Sequence, residues 1–317
     1  MQKLLATTSQ MQVCFNPKKS ATVVFSGYLI GDCSKLVVQG EIIPPEHEYK
    51  YLGIQLCDSS NYLKKQEEIW MRKFKRALHQ MHAQLLWSSN KFEMSKTYWK
   101  VVAVPTLTYG NAVTVMTAKT STESEKTQRC AARWALGIPG WRVANEFLEA
   151  ELHWSSFEAR EAKSKLKYHA RISAMPETRW PRAILEMIKI QKFDTKTCSK
   201  IEELKSRYDC DTLQIEYNEQ GKALLGIYYR QLDERIKARQ EIDWVNGMAD
   251  KSLLEMYRCH KESRTSAVHI YDNSRGSALL ALARAGPSLR GCLSPTSPPT
   301  QNRLAIDVAS TQKHWST

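Results

Sequence analysis

A chain of 317 residues with 42% hydrophobic content is long enough to bury one large core or two small ones, which excludes a polypeptide disordered throughout. Its 46 Lys and Arg stand against 33 Asp and Glu, and the resulting net charge of +13 favours a polyanionic partner, either nucleic acid or an acidic membrane surface. The longest apolar stretch, 101–116, is interrupted by Pro105, Gly110 and Asn111, so no transmembrane helix is expected.

The first sixty residues have strand character. Thr22-Val23-Val24-Phe25 and Leu36-Val37-Val38 are apolar or β-branched runs, Gln39-Gly40 offers a turn into Ile42-Ile43, and Pro44-Pro45 closes that segment before another begins over 49–56. Beyond Asn61 the period becomes helical: Trp70, Phe74, Leu78, Met81 and Leu85 form an apolar stripe, with Arg72, Lys73, Lys75, Arg76 and His79 largely on the other side. A helix of about 25 residues follows from that spacing. A second is expected over 91–102, anchored by Phe92, Tyr98 and Trp99 and stopping before Pro105.

Thr122-Glu123-Ser124-Glu125 has the spacing of a capping box, and Gly137 with Pro139 supplies a stop, bracketing a helix that should carry Cys130, Trp134 and Leu136 inward. Ser155-Ser156-Phe157-Glu158 repeats the device for a helix reaching Met175-Pro176. A further amphipathic helix is expected over 220–240, with Leu224, Ile227, Tyr228, Leu232 and Ile236 on one face. From Gly286 onward Pro, Ser and Gly replace the helical period, and 287–317 is expected to be disordered.

Eight cysteines at positions 14, 33, 57, 130, 198, 210, 259 and 292 include no Cys-x-x-Cys knuckle. That usage suits a reduced intracellular compartment, cytoplasm or nucleus, and no metal site is expected in the chain. The run Leu4-Leu5-Ala6 is too short for a secretory signal.

Two strings carry a family resemblance. Phe15-Asn16-Pro17-Lys18-Lys19-Ser20, followed some thirty residues later by Tyr49-Lys50-Tyr51-Leu52-Gly53-Ile54, resembles the last two palm motifs of the reverse transcriptases of LINE-type (non-LTR) retrotransposons. Downstream, Pro105 with Tyr109-Gly110, then Gln128 and Arg133, Leu136-Gly137-Ile138-Pro139 and Glu151-Leu152-His153-Trp154 resemble the family's thumb and post-thumb helices. The resemblance implies an RNA-directed DNA polymerase as parent, with magnesium as its cofactor. It makes Lys19 the motif D lysine, which would protonate the departing pyrophosphate. It makes Tyr49, Lys50, Tyr51, Leu52 and Gly53 the primer grip, a β-hairpin against the primer's 3′ end. On their own chemistry Lys19 also reads as a solvated turn lysine, and the two tyrosines as strand packing residues.

The family's central Asp-Asp pair, which holds the two catalytic metal ions, has no counterpart here, because the chain contains no Asp-Asp dipeptide. The reading is therefore a C-terminal portion of a reverse transcriptase, inactive by itself, with a non-enzymatic basic nucleic-acid-binding protein as the alternative. Its expected fold is α+β: a small antiparallel palm-remnant sheet (1–60), a mainly α-helical thumb-like bundle (61–180), further helices (181–286) and the tail. Two basic sets, Lys64, Lys65, Arg72, Lys73, Lys75 and Arg76, then Lys163, Lys165, Lys167 and Arg171, are expected to follow the phosphates of an RNA/DNA hybrid or other nucleic acid, or else to be ordinary solvated faces. No membrane partner is expected, and the sequence leaves the oligomeric state open.

Overall fold

The computed structural model describes residues 16, 19–23, 36–38, 41–58, 62–138, 143–193, 195–265, 270–272 and 274–286. The expected tail, Val24-Phe25 of the first strand run and the Gln39-Gly40 turn lie outside these residues.

Strands come first, in two antiparallel pairs. β1 (Val37–Val38) pairs with β2 (Glu41–Ile42), and β3 (Glu48–Tyr51) pairs with β4 (Ile54–Cys57) in the register Glu48↔Cys57 to Tyr51↔Ile54. Residues 49–56 are thus a hairpin and not one strand. Its two turn residues, Leu52 (φ 46°) and Gly53 (φ 82°), both have positive φ, as a right-twisting two-residue connection requires.

The rest of the described chain is mostly helical. α1 (Tyr62–Leu85) buries Trp70, Phe74, Met81 and Leu85 along the expected stripe, with Leu78 half-buried beside them. α2 (Lys91–Tyr98) is capped by Asn90, whose side chain accepts from the Glu93 N–H.

The expected stop before Pro105 does not occur. A π turn (Trp99–Ala103) widens the helix by one residue, with the Val104 N–H bonding five residues back to the Trp99 carbonyl, and α3 (Val104–Thr108) continues with Pro105 in its first turn. Pro105 has no N–H to give to the preceding turn, and the wider π turn accommodates its ring, so the chain bulges and does not break.

α4 (Ala118–Leu136) also starts earlier than the capping pattern suggested. Thr117 is the cap, accepting from the Thr120 N–H at 3.2 Å, while its own hydroxyl donates to the Glu67 carboxylate of α1 at 2.9 Å. Thr122 lies inside the helix and bonds back to the Ala118 carbonyl. The cap was chosen by a tertiary partner that local spacing does not register. Gly137, at φ 67°, ends the helix as expected. Leu136 is buried and Trp134 half-buried, but Cys130 is exposed, against expectation.

α5 (Asn145–Leu152) leads to α6 (Phe157–Ser173), capped by Ser156. Then come α7 (Trp180–Ile190), α8 (Lys196–Arg207), α9 (Leu225–Ala249), a 3-10 turn (Ser252–Leu254), α10 (Glu255–His260) and α11 (Arg275–Arg284). Tyr228, Leu232 and Ile236 of α9 are buried as expected, whereas Ile227 is exposed.

Two apolar cores form. The larger joins α1 to α5 with Trp244, Met248, Tyr257, Tyr271 and Leu282 from the far end of the sequence, and contains a Trp99–Trp154 stack with centroids 5.4 Å apart. The smaller is built from α6, α8 and the first half of α9. Among the described residues no helix is long and apolar enough to cross a membrane.

A single buried carboxylate ties the sequence ends of the larger core. Glu151, on α5, is fully buried and accepts from the Tyr257 and Tyr271 hydroxyls at 2.6 and 2.7 Å, with the Arg284 guanidinium at 3.0 Å and the Lys261 ammonium at 3.5 Å. Burial first, and then the neighbouring Glu151 charge, push both phenols far above their ordinary range, so they stay protonated and donate.

Candidate nucleic-acid interface

The β3–β4 hairpin is held on three sides. The Tyr49 hydroxyl donates to the Lys19 carbonyl at 2.7 Å, which brings Lys19 and the hairpin together as neighbours. The Gln55 N–H donates to the buried Gln66 side chain of α1 at 3.2 Å, and Lys65 pairs with Glu48 at 3.3 Å. At the tip, the Tyr109 hydroxyl, just past α3, donates to the Leu52 carbonyl at 2.5 Å.

The hairpin's own residues divide by this bracing. Tyr49 is half-buried and spends its hydroxyl on Lys19, Gly53 lies against the Tyr109 ring, and Lys50, Tyr51 and Leu52 are exposed. Lys19 is itself exposed, and its role here is to present a backbone carbonyl.

Beside the hairpin runs the outer face of α1. Lys64, Arg72, Lys75 and Arg76 are exposed, and none makes an ion pair among the described residues. Lys73 is half-buried, with its ammonium 5.9 Å from the centre of the Tyr109 ring. Burial and then the Lys50 charge lower its pKa, which places Lys50 and Lys73 in one electrostatic neighbourhood. The arrangement is a group of exposed cations on the hairpin and α1, with Glu68 exposed between Lys64 and Arg72, that can meet the phosphates of a backbone.

The second basic set does not form one face. Lys163, Lys165 and Lys167 stand two residues apart, so a helix turns them to different sides. Lys165 is fully buried, donates to the Thr114 carbonyl and pairs with Glu161 at 3.6 Å, which removes it from any surface interface. Lys163 and Lys167 both bond Asp233 of α9 at 2.9 Å, and Arg171 is exposed. Sequence reading missed Asp233, because its pairing crosses from α6 to α9 and leaves no local pattern. Tyr109 was noted as a fold marker, and its grip on the hairpin tip was equally invisible.

Among the described residues no three of His, Cys, Asp and Glu converge to hold a metal ion, so these residues give no fit to the magnesium that the resemblance assigns to the parent polymerase.

No protein-family model matches the chain, and no solved structure does. Over 169 residues, 52% of its length, the chain is 27% identical to the RNA-directed DNA polymerase from mobile element jockey of Drosophila funebris. The chain spans 18% of that protein's length. The similarity is distant and supports a relation to retrotransposon reverse transcriptases.

Proposed function

We propose that this chain is a primer-grip and thumb portion of a retrotransposon RNA-directed DNA polymerase, that it holds an RNA/DNA hybrid by its phosphates, and that alone it extends no primer. The observation that carries this is the braced hairpin: exposed Lys50, Tyr51 and Leu52 stand on a rigid support formed by α1 and Tyr109, next to the unpaired cations of α1. A rigid mount is what positioning a primer end requires, since reacting groups must be held to a fraction of an ångström.

Hybrid affinity tests the binding. It should fall with rising salt at a log–log slope of about −3 to −6, as expected for a handful of phosphate contacts. Arg72→Glu combined with Arg76→Glu should weaken binding to all sequences alike; no change would leave the group as an ordinary solvated face. Primer extension on an RNA template with magnesium or manganese should give no product above buffer, and extension would overturn the inactive reading.

A further inference from the structure

The lysines of α6 do not gather on one face, but a different group of cations does gather, drawn from α7 and α8 around the end of α6. Leu166 and Ala170 of α6 join Leu204 and Tyr208 of α8 in the smaller core, which sets His169 and Lys205 at one seam. α7 folds back on the end of α6, where the Arg182 guanidinium donates to the Ser173 carbonyl at 2.6 Å. Burial first, and then the charges of Lys205, Lys189 and Arg182, hold the His169 ring neutral, so all three cations stand within electrostatic reach of it.

Three cations meet one carboxylate there. Glu186 pairs with Arg182 at 2.9 Å and with Lys189 at 3.3 Å, while Lys205 makes no ion pair among the described residues. Of the other described acids on α7, α8 and the turn before α7, Glu177 and Glu202 pair with none of these cations, and Glu203 is taken by Lys200 at 2.7 Å. Two donors are also left over: Ser173 Oγ and Arg182 Nε are buried and have no hydrogen-bond partner among the described residues. A buried donor without an acceptor is costly, so the seam is short of an acceptor as well as of negative charge.

We propose that this junction of α6, α7 and α8 is an oxyanion site, and that it takes a phosphate of a nucleic-acid strand. Donors that arrive from three helices suit a tetrahedral group with oxygens on every side better than a planar carboxylate. The excess of cations over carboxylates supplies the charge that a phosphate would neutralise. That the phosphate belongs to nucleic acid rests on the function proposed above; that the site takes an oxyanion does not.

The test uses the full chain, with inorganic phosphate and an RNA/DNA hybrid as probes. Phosphate added at constant ionic strength should shift the imidazole resonances of His169 and leave those of His82, in α1, in place. Lys205→Gln should abolish that shift, and because Lys205 is half-buried and makes no ion pair the variant should melt as the parent does. Its hybrid affinity should fall about fivefold at about 0.15 M salt, with a log–log slope shallower by about one unit. Ser173→Ala, which removes a donor but no charge, should weaken the phosphate response and leave the slope alone. No response of His169 to phosphate, or a response kept in Lys205→Gln, would overturn the site. A response abolished by Lys205→Gln with hybrid affinity and slope unchanged would uphold the oxyanion site and overturn its nucleic-acid source. Hybrid binding that responds to neither Lys205→Gln nor the α1 arginine variants, while phosphate still shifts His169, would sink the function proposed above and leave the site standing.

Discussion

Gly53 and Tyr109 touch: a Cβ built on Gly53 would lie 2.9 Å from Tyr109 Cε1, and the same tyrosine's hydroxyl donates to the neighbouring Leu52 carbonyl at 2.5 Å, 57 residues back in the chain. The glycine meets two demands at once, a φ of 82° and the close approach of an aromatic ring. The space that the missing side chain leaves is taken by the Tyr109 ring.

Gly53→Ala should therefore destabilise the protein by about 2 kcal/mol, from the positive φ and the displaced ring together. Tyr109→Phe, which keeps the ring and loses one hydrogen bond, should cost about 1 kcal/mol. Urea unfolding checks both. A Gly53→Ala variant of unchanged stability with weakened hybrid binding would give the glycine a ligand-facing role.

Lys165→Met should cost about 3–5 kcal/mol, the usual result of stranding one member of a buried ion pair. Burial pushes the Glu161 carboxyl up and the Lys165 ammonium down, while each opposes the other's shift, so the charged pair holds together and neither partner is dispensable. Salt slopes measured on hybrid should be the same in the variant and the parent. A slope shallower by about one unit would place Lys165 on phosphate after all.

Glu151→Ala should destabilise the larger core by about 3–5 kcal/mol, because two buried phenols and a guanidinium lose their shared acceptor. Glu151→Gln, which keeps an acceptor oxygen but not the charge, should recover part of that. Hydrogen exchange should show the loss as early opening of α10 and α11. Unchanged protection there would deny Glu151 its role as the tie between α5 and the later helices.

Acid should weaken the fold through two histidines. His82, stacked on Trp134 at 4.6 Å, and His169 are each pushed down to about 4, chiefly by burial and then by nearby cations: Lys91 and His79 for the first, Lys205, Lys189 and Arg182 for the second. In the unfolded chain both titrate near 6.5, so between pH 6.5 and 4 unfolding takes up close to one proton per histidine. Their stabilising effect is complete above pH 6.5 and is lost as the pH falls toward 4. Melting temperature should drop over that window, and His82→Phe should make the drop shallower. A flat profile would mean that neither ring is neutral by constraint.

Periodicity alone placed α1 to within two residues, because a stripe of Trp70, Phe74, Met81 and Leu85 can be buried in one way by a helix and in none by a strand. It also fixed which side of α1 is cationic, and the Gly137 stop was legible because it acts through its own backbone neighbourhood, while the cap of α6 falls on Ser156, one residue past the Ser155 that the box spacing names. The Thr117 cap, the burial of Lys165 and the pairing of Lys163 and Lys167 with Asp233 were not legible. Each depends on a partner far away in the chain, and side-chain spacing carries no record of what will pack against it. So the sequence determined that α1 has a basic outer face, and the tertiary structure decided that it stands beside a hairpin clamped by Tyr109, while the three lysines of α6 are buried or paired with a carboxylate and only Arg171 of the expected set is left exposed.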